Sequence, residues 1–475
     1  MIIKATSAPL RCFDPMSSQR ATKFALALLT AMLAIGIVLP AQAQSRTATP
    51  PGAKQSPAPT PPVASPTASP AAGEAASEQE AIYGLQGVLV ETLEGATVST
   101  QAADELFNPA SALKLATALV ALRTFGPDHR FSTGFWTDGT IDKSTGTLNG
   151  NLYVSGRDPS FHYEHAVMIA RQLNTLGIHS VSGDLVIGPS FTMNFRWSAR
   201  SSGVQLYETL DSTFRSGEAT RAWLYERGVL GDKASLEGVP SVSIGGELRV
   251  EPVVSNAKLL LSHRSSKLVD ILKVLLCYSN NFMAERIGES IGGVQSVRRN
   301  LIDTLGLTPD QIQMASLSGL GINRASPRTM MKIFRALREE LRKHRLSTTD
   351  IMPVAGIDPG TMETRFAEEP WRGSVIAKTG TLIRTDGGAS SLVGQMKTAS
   401  GTTLLFVIMN RRGSVWKFRL NQDYLVKQIQ SSRGGPQAFS YKPRSLPMKL
   451  SDTQSSFAAA DDEFEPNNKL STAPQ

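Results

Sequence analysis

Apolar and polar residues alternate differently in successive parts of the chain, and each pattern predicts a different element. Residues 84–95 (GLQGVLVETLEG) predict a strand that enters a turn. Residues 108–122 (NPASALKLATALVAL) predict a helix, with Asn108 as its N-cap and Pro109 at its first position. From residue 131 to residue 154, short alternating runs separated by turn residues predict β-hairpins.

Helical and strand patterns both return in the second half. Residues 265–293 have helical spacing, with four leucine or isoleucine side chains on one face. Three strand-like runs follow at residues 374–382, 387–396 and 403–410, and a last helix is predicted over residues 415–429. A helix, a β-rich insert, more helices, antiparallel strands and a closing helix together predict an α+β fold.

The two ends of the chain show neither the helical nor the strand pattern of a folded domain. Basic residues, an apolar run at 24–39 and the tripeptide Ala41-Gln42-Ala43 predict a signal peptide over residues 1–43, with a retained membrane anchor as the alternative. Residues 44–79 hold eight prolines among Ala, Ser and Thr, which predicts a disordered linker. Residues 432–475 are mostly polar and predict a disordered tail. We therefore expect export to the periplasm.

Composition limits the classes of function. The chain has 475 residues, of which 41% are hydrophobic, enough for two or three domains. Its formal net charge of +8 is spread along the chain, so it suits anionic peptides or polymers and gives no reason to expect nucleic acid as a partner. Cys12 would leave with the signal peptide, so Cys277 would remain alone and no internal disulfide is expected.

Ser111 and Lys114 are one helical turn apart on the same face at the start of the first predicted helix. Packing in an apolar core does not require either polar side chain. A lysine held in a partly dry pocket has a lowered pKa, so it can remove the proton from a neighbouring serine hydroxyl. The same Ser-x-x-Lys spacing recurs twice further along the chain, from Ser255 and from Ser414, so the spacing alone does not identify a nucleophile.

Two further motifs follow Ser111 in order. Ser279-Asn280-Asn281 and Lys378-Thr379-Gly380 each occur once in the chain. Ser279 would bridge Lys114 to a leaving nitrogen as a proton relay, and the Asn281 amide would hold a substrate backbone amide in both directions. Lys378, on a strand at the edge of the cleft, would supply positive charge there.

The residues around the third motif have roles of their own. Thr379 and Thr381 would offer hydroxyls to a terminal carboxylate, and Gly380 would let the substrate backbone approach. The backbone N–H groups of Ser111 and Thr381 would form an oxyanion hole.

These three motifs in this order are the signature of penicillin-binding proteins and serine β-lactamases. From about Gly84 to Gln430 the chain more narrowly resembles low-molecular-mass penicillin-binding proteins of the D-alanyl-D-alanine carboxypeptidase/endopeptidase type, the peptidase S13 family. The likeness includes NPASALKLATALVALRTFGPDHRFSTGFW, LNGNLYVSGRDPSF, and MPVAGIDPGTMETRF followed by AKTGTL.

The resemblance implies a transpeptidase-like fold of the serine β-lactamase/DD-peptidase type, interrupted by an inserted β-rich domain. We place its first part at residues 80–125, the insert at 126–254 and its second part at 255–431. It also implies an acyl-enzyme on Ser111, peptidoglycan peptides as substrates and β-lactams as covalent inhibitors. The oligomeric state stays open.

Three positions depart from the family pattern. The segment Ser316-Leu317-Ser318-Gly319-Leu320 lacks the usual acidic residue, Pro359 is inserted in GIDPGT, and Arg157 stands where glycine is usual. Because supporting residues orient those that do the chemistry, we expect these changes to affect the rate and the range of substrates.

Other functions remain open as alternatives. A peptidoglycan-binding scaffold with reduced turnover is one, and a serine β-lactamase is another, although no Glu-x-x-x-Asn segment is placed to activate a deacylating water. Gly288 to Gly292 match a hydrolase elbow but fall on a predicted helix, and Cys277 is expected to be a core residue. Since Asp158, His162 and His165 are weak metal candidates, we predict neither a metal nor a cofactor.

Overall fold

The structure is a computed structural model, and it describes residues 84–229 and 239–458. The predicted signal peptide (1–43) and linker (44–79) lie outside these residues. Within the described ranges, no helix combines the length and the apolar character that a bilayer span needs.

Helices and strands alternate along the described residues. The strands are, in chain order, β1 (Leu85–Thr92), β2 (Thr97–Gln101), β3 (Ser132–Thr137), β4 (Thr140–Asp142), β5 (Thr147–Asn149), β6 (Leu152–Gly156), β7 (Ser180–Val181), β8 (Leu185–Ile187), β9 (Ser243–Ile244), β10 (Leu248–Val250), β11 (Lys258–Arg264), β12 (Ile312–Gln313), β13 (Arg324–Ala325), β14 (Val375–Leu382), β15 (Ala389–Lys397), β16 (Thr403–Arg411) and β17 (Gln454–Phe457).

The helices are α1 (Lys114–Phe125), α2 (Tyr163–Thr175), α3 (Ala199–Leu210), α4 (Gly217–Val229), α5 (Leu268–Tyr278), α6 (Asn281–Ser290), α7 (Gly293–Leu305), α8 (Pro327–Lys343), α9 (Thr348–Ile351), α10 (Val415–Ser431) and α11 (Leu446–Ser451). Short 3₁₀ turns cover Ala110–Leu113 and Thr385–Gly387. This mixture confirms the predicted α+β class.

A five-stranded sheet in the order β14-β15-β16-β1-β2 forms the centre of the fold, and its neighbouring strands are antiparallel. Both faces are covered, so successive side chains of β1 enter different cores. Leu89 packs with α1 and α8 on one face, whereas Val88 and Val90 pack with Phe406 and Val426 on the other. The near-continuous apolar runs of these strands follow from this double burial.

Helix α1 lies in the helical layer on the first of these faces. All its residues from Lys114 to Leu122 are buried, because α5, α6, α7 and α8 surround it. An ionisable side chain in a helix that is buried on every side is exceptional, and this burial controls the chemistry of Lys114.

The inserted domain contains helices as well as strands and extends beyond its predicted boundary. Its main sheet has the order β10-β8-β6-β3-β11-β17, a smaller sheet contains β4, β5, β7 and β9, and helices α2 to α4 belong to the same part. The structure differs from the predicted end at residue 254, since β11 pairs along β3 and buries Leu261 and His263 in this domain.

The C-terminal segment differs from the predicted disordered tail. Residues 432–458 are described, and they fold back onto the protein through α11 and β17. Leu446 and Leu450 are buried, and β17 pairs antiparallel with β11. Phe439 and Tyr441 also pack against the main core, so a few apolar side chains and the β17 pairing together attach this otherwise polar segment.

Candidate active site

Ser111 sits in a 3₁₀ turn that leads into α1, so the helix proper begins at Lys114 and later than predicted. The N-cap of this turn is Pro109, so the predicted cap at Asn108 with Pro109 as the first helical residue is wrong. Asn108 instead supports the turn from outside: its Oδ1 accepts from the Ala110 N–H at 3.1 Å, and its Nδ2 donates to the Gly321 carbonyl at 3.0 Å. Ala110 has a left-handed φ of 47°, a strained conformation that turns the chain immediately before the serine.

Lys114 is fully buried and joins three parts of the site. Its Nζ donates to Ser111 Oγ at 3.0 Å, to Asn281 Oδ1 at 2.7 Å and to the Ser318 carbonyl at 2.6 Å. Burial lowers the pKa of Lys114 to about 7, against the opposing effect of the negative charge on Glu285. A lysine with this pKa is partly neutral at neutral pH, so it can accept a proton from Ser111.

The second motif follows directly from the end of α5. Ser279 caps this helix in the left-handed region, with φ 57°, which turns the chain sharply towards α6. Asn280 then caps α6 by accepting from the Met283 N–H at 3.0 Å. Asn281 is the first residue of α6, where its side chain reaches Lys114.

Lys378 on β14 reaches Ser279 from the other side. Its Nζ donates to Ser279 Oγ at 2.8 Å and to the Thr379 carbonyl at 2.8 Å. Its side chain is buried, and burial together with the nearby charge of Lys114 holds the pKa of Lys378 well below its usual value. The site thus contains two lysine–serine pairs, Lys114 with Ser111 and Lys378 with Ser279. Ser279 Oγ therefore bonds to Lys378, whereas the sequence predicted Lys114 as its partner.

Gly380 allows β14 to pack closely against the turn that carries Ser111. A Cβ atom at this position would lie 2.4 Å from the Pro109 carbonyl and 2.1 Å from Ser391 Oγ. Ser391 Oγ itself donates to the Pro109 carbonyl at 2.6 Å, which ties β15 to the same turn. The predicted role of Gly380 was closeness to the substrate, and the structure shows closeness to the nucleophile's own backbone.

Thr379 and Thr381 lie on β14 next to this contact. Thr379 is buried, while Thr381 is half-buried and accepts a hydrogen bond from Arg419 Nη2 at 2.8 Å. Arg419 extends from α10 and belongs to no motif, so the sequence analysis did not identify it. The structure therefore places a guanidinium group beside the hydroxyl predicted to receive a carboxylate.

The segment 316–320 supports Lys114 although it lacks the usual acidic residue. Glu285 Oε1 accepts from the Ser318 N–H at 2.8 Å, which holds the carbonyl that Lys114 contacts. Gly319 has φ 86°, and a Cβ there would lie 2.0 Å from the Ala110 carbonyl. Glu285 was also missed, and the only sequence signal is its position one helical turn after Asn281.

The weak metal candidates have structural partners inside the inserted domain. Asp158 Oδ1 accepts from the Ser160 N–H at 2.8 Å and from its hydroxyl at 2.6 Å, and His165 Nδ1 accepts from the His162 N–H at 3.0 Å. Among the described residues, no group of three or more His, Cys, Asp and Glu side chains is arranged to hold a metal ion.

The other candidate nucleophiles are also unsuitable. Burial raises the pKa of the Cys277 thiol to about 12, which keeps it protonated. Ser290 lies at the end of α6 and donates to the Arg286 carbonyl at 3.0 Å, so it does not form the strand-to-helix elbow of a hydrolase.

Comparison with known proteins identifies the family of the chain. The chain matches the family D-Ala-D-Ala carboxypeptidase 3 (S13) over residues 73–199 and 223–422. A D-alanyl-D-alanine carboxypeptidase from an Actinomadura species is 25% identical over 426 residues, which cover 68% of this chain and 77% of that protein.

Two solved structures share the fold. A penicillin G-acylated predatory endopeptidase from Bdellovibrio bacteriovorus, in complex with an immunity protein, has a TM-score of 0.64 and 22% identity, covering 78% of this chain and 100% of that one. Penicillin-binding protein 4 from Haemophilus influenzae has a TM-score of 0.56 and 20% identity, covering 74% and 99%.

Fold, site and family match together define a serine peptidase. The chain belongs to the D-Ala-D-Ala carboxypeptidase S13 family, as its sequence motifs predicted.

Proposed function

We propose that this protein hydrolyses the bond after a D-alanine in peptidoglycan, as a carboxypeptidase on stem peptides, an endopeptidase on cross-links, or both. The observation that carries the proposal is the position of Lys114. Its Nζ lies 3.0 Å from Ser111 Oγ in a buried site that brings its pKa to about 7. This combination supplies a base for a serine nucleophile near neutral pH.

Acylation follows from the two lysine–serine pairs. Ser111 Oγ attacks the carbonyl carbon while its proton moves to the neutral amine of Lys114. The backbone N–H groups of Ser111 and Thr381 stabilise the negative charge on the carbonyl oxygen. The carbon–nitrogen bond then breaks as Ser279 gives its hydroxyl proton to the leaving nitrogen, and Lys378, which donates to Ser279 Oγ, restores the Ser279 hydroxyl. A water molecule then attacks the ester carbonyl carbon and gives its proton to the Ser279–Lys378 pair. The bond between this carbon and Ser111 Oγ breaks, Lys114 returns its proton to Ser111, and the shortened peptide is released.

The remaining residues orient the substrate. Because Lys114 already occupies Oδ1 of Asn281, we assign the Nδ2 group of Asn281 to a substrate carbonyl oxygen. Thr379 and Thr381 provide hydroxyls for the carboxylate of the terminal D-alanine. A carboxylate bound beside Lys378 favours the charged form of this lysine and so opposes the lowering of its pKa by burial, which lets Lys378 supply positive charge once the substrate is in place. Arg419 adds a second cation at the same end of the site.

Penicillins mimic this substrate and would acylate the same serine. The Bdellovibrio endopeptidase that shares the fold is itself described as acylated by penicillin G, which supports the same reaction at Ser111. The close contacts of Lys114 also favour a working enzyme over a binding scaffold, since a scaffold has no need for a buried, easily deprotonated lysine.

We also propose that the reaction takes place in the periplasm. The basic residues, apolar run and Ala-x-Ala site within residues 1–43 support export, and peptidoglycan peptides are found outside the cytoplasmic membrane.

Labelling with a fluorescent penicillin tests the proposal. The chain from residue 44 onward should form a covalent adduct and should release D-alanine from a synthetic pentapeptide, separate a cross-linked muropeptide into monomers, or do both. The Ser111→Ala protein should give neither the adduct nor any of these products. Ser290→Ala is the matched control, because this serine bonds only within its own helix, and it should behave as the parent. An adduct on the Ser111→Ala protein, located by mass spectrometry of its peptides, would refute the assignment.

A further inference from the structure

The C-terminal segment 437–458 crosses from the central sheet to the helical layer and then to the inserted domain. Near its start, the Phe439 N–H donates to the Gly373 carbonyl at 2.9 Å. Further on, Lys449 Nζ contacts Asp270 Oδ1 at 2.5 Å, and β17 pairs with β11. Between these attachments lies Tyr441, whose hydroxyl reaches the interior.

Tyr441 completes a buried charge pair. Lys273 Nζ lies 2.6 Å from Asp358 Oδ2, and their side chains are 0% and 1% exposed. The lysine also donates to the carbonyls of Thr349 and Met352. The other carboxylate oxygen, Asp358 Oδ1, accepts from the Tyr441 hydroxyl at 2.7 Å.

The tyrosine ring contributes as well. Lys273 Nζ lies 4.8 Å from the centre of the Tyr441 ring, so one side chain contacts both members of the charge pair. Burial and the neighbouring carboxylate raise the pKa of Tyr441 far above its usual value, so the hydroxyl remains a donor at every working pH.

This network is connected to the second catalytic motif. Lys273 belongs to α5, whose C-cap is Ser279. The loop that carries Asp358 continues to Thr361, whose N–H donates to the Cys277 carbonyl at 2.9 Å. Gly360 passes so close that a Cβ would lie 2.4 Å from the same carbonyl. The charge pair therefore holds α5 at its middle, through Lys273, and the loop holds its last turn, through the Cys277 carbonyl.

We propose that Tyr441 is a positioning residue for Ser279, and that the C-terminal segment is a strap which sets the end of α5 in place for catalysis. This inference rests on the proposed function, because it assumes that Ser279 transfers a proton during acylation. Removing the Tyr441 hydroxyl leaves one oxygen of a buried carboxylate without its donor. The Asp358 carboxylate then shifts towards another hydrogen-bond donor. Because Asp358 and its loop are attached to α5, the turn of α5 before Ser279 moves as well.

Tyr441→Phe tests this proposal, since it removes one oxygen atom and keeps the ring over Lys273. Lys449→Met is the matched control: it also breaks one polar contact between the strap and α5, but it does so at the far end of the helix from Ser279. Both variants are compared in the chain from residue 44 onward, at a temperature where circular dichroism shows each of them folded.

The measurement is penicillin acylation, separated into the affinity of the first complex and the rate constant of the covalent step. Tyr441→Phe should slow the covalent step about tenfold with little change in affinity, because misplaced groups slow the chemical step most. Lys449→Met leaves the mostly buried Asp270 without its cation, so it should lower the melting temperature. Because Asp270 lies at the opposite end of α5 from Ser279, both acylation quantities should still stay within about twofold of the parent while the protein is folded.

The outcomes separate the two proposals. If the parent protein is not acylated, the proposed function fails. If the parent is acylated but Tyr441→Phe matches it, or Lys449→Met slows the covalent step equally, only the positioning role fails. A melting temperature lowered in both variants with unchanged acylation would mean that the strap contributes stability alone, and would also overturn the inference.

Discussion

Lys114 Nζ donates to Asn281 Oδ1 at 2.7 Å, so the first and second motifs are joined through a single buried amine. The two residues are 167 positions apart in the chain, and the inserted domain lies between them. Substitutions that change the charge or the partners of this amine should therefore alter the pH dependence of acylation.

Acylation should rise with pH through about 7, because Lys114 acts as a base only after it has lost its proton and its pKa lies there. Lys114→Arg should lower the rate at least about a hundredfold at every pH from 6 to 10, since a guanidinium group stays protonated. Lys378→Arg keeps a basic side chain at a position that does not act as the base, so it should lower the acylation rate less than Lys114→Arg does. Second-order acylation rates across this range decide the roles, and an active Lys114→Arg protein would exclude Lys114 as the base.

Glu285→Gln should move this pH profile to lower pH. The charge of Glu285 raises the pKa of Lys114, so a neutral side chain should let the pKa fall further and extend activity into more acidic solution. The glutamine carbonyl can still accept from the Ser318 N–H. Glu289→Gln, an exposed change near the end of the same helix, should leave the midpoint where it is; equal profiles for all three proteins would contradict the electrostatic effect.

Arg419→Gln should weaken the use of substrates that end in a free carboxylate. The Arg419 guanidinium donates to Thr381 Oγ1, beside the expected position of the substrate carboxylate. Loss of one charge-assisted contact with this carboxylate should raise KM about tenfold. Lys417→Gln, two residues earlier on α10, serves as the control. Kinetics on a pentapeptide and on the corresponding amide would show the effect, which should be absent for the amide; an identical loss on both substrates would argue against a carboxylate contact.

A chain that ends at residue 431 should be less stable than one that ends at residue 458. The shorter chain loses the burial of Leu446 and Leu450, which is worth roughly 3 kcal/mol or more of unfolding free energy. Chemical denaturation of the two chains measures the difference. Equal stability would show that α11 contributes nothing to the fold.

Sequence alone predicted the elements whose signals are local. Ser111, Ser279 and Lys378 lie in short motifs that can be recognised without knowing which parts of the chain meet. The continuous apolar run of β16 likewise identifies a strand buried on both faces.

The missed features depend on contacts between distant residues. Glu285, Arg419 and Tyr441 are ordinary polar side chains, and only the folded chain shows which groups they reach. The boundary of the inserted domain failed for the same reason, since β11 belongs to that domain through its pairing with β3. The C-terminal segment carries too few apolar residues to produce a periodic signal, although two of them anchor it.

The attachment of β17 and α11 also has a consequence for the order in which the protein is made. A ribosome builds the chain from its N-terminus, so β11 and α5 exist before the residues that cover them. Until residue 441 has been added the carboxylate of Asp358 lacks its tyrosine, and until residues 454–457 have been added the outer edge of β11 is unpaired. A translation product that stops before residue 441 thus carries every catalytic motif without the segment that fastens them together.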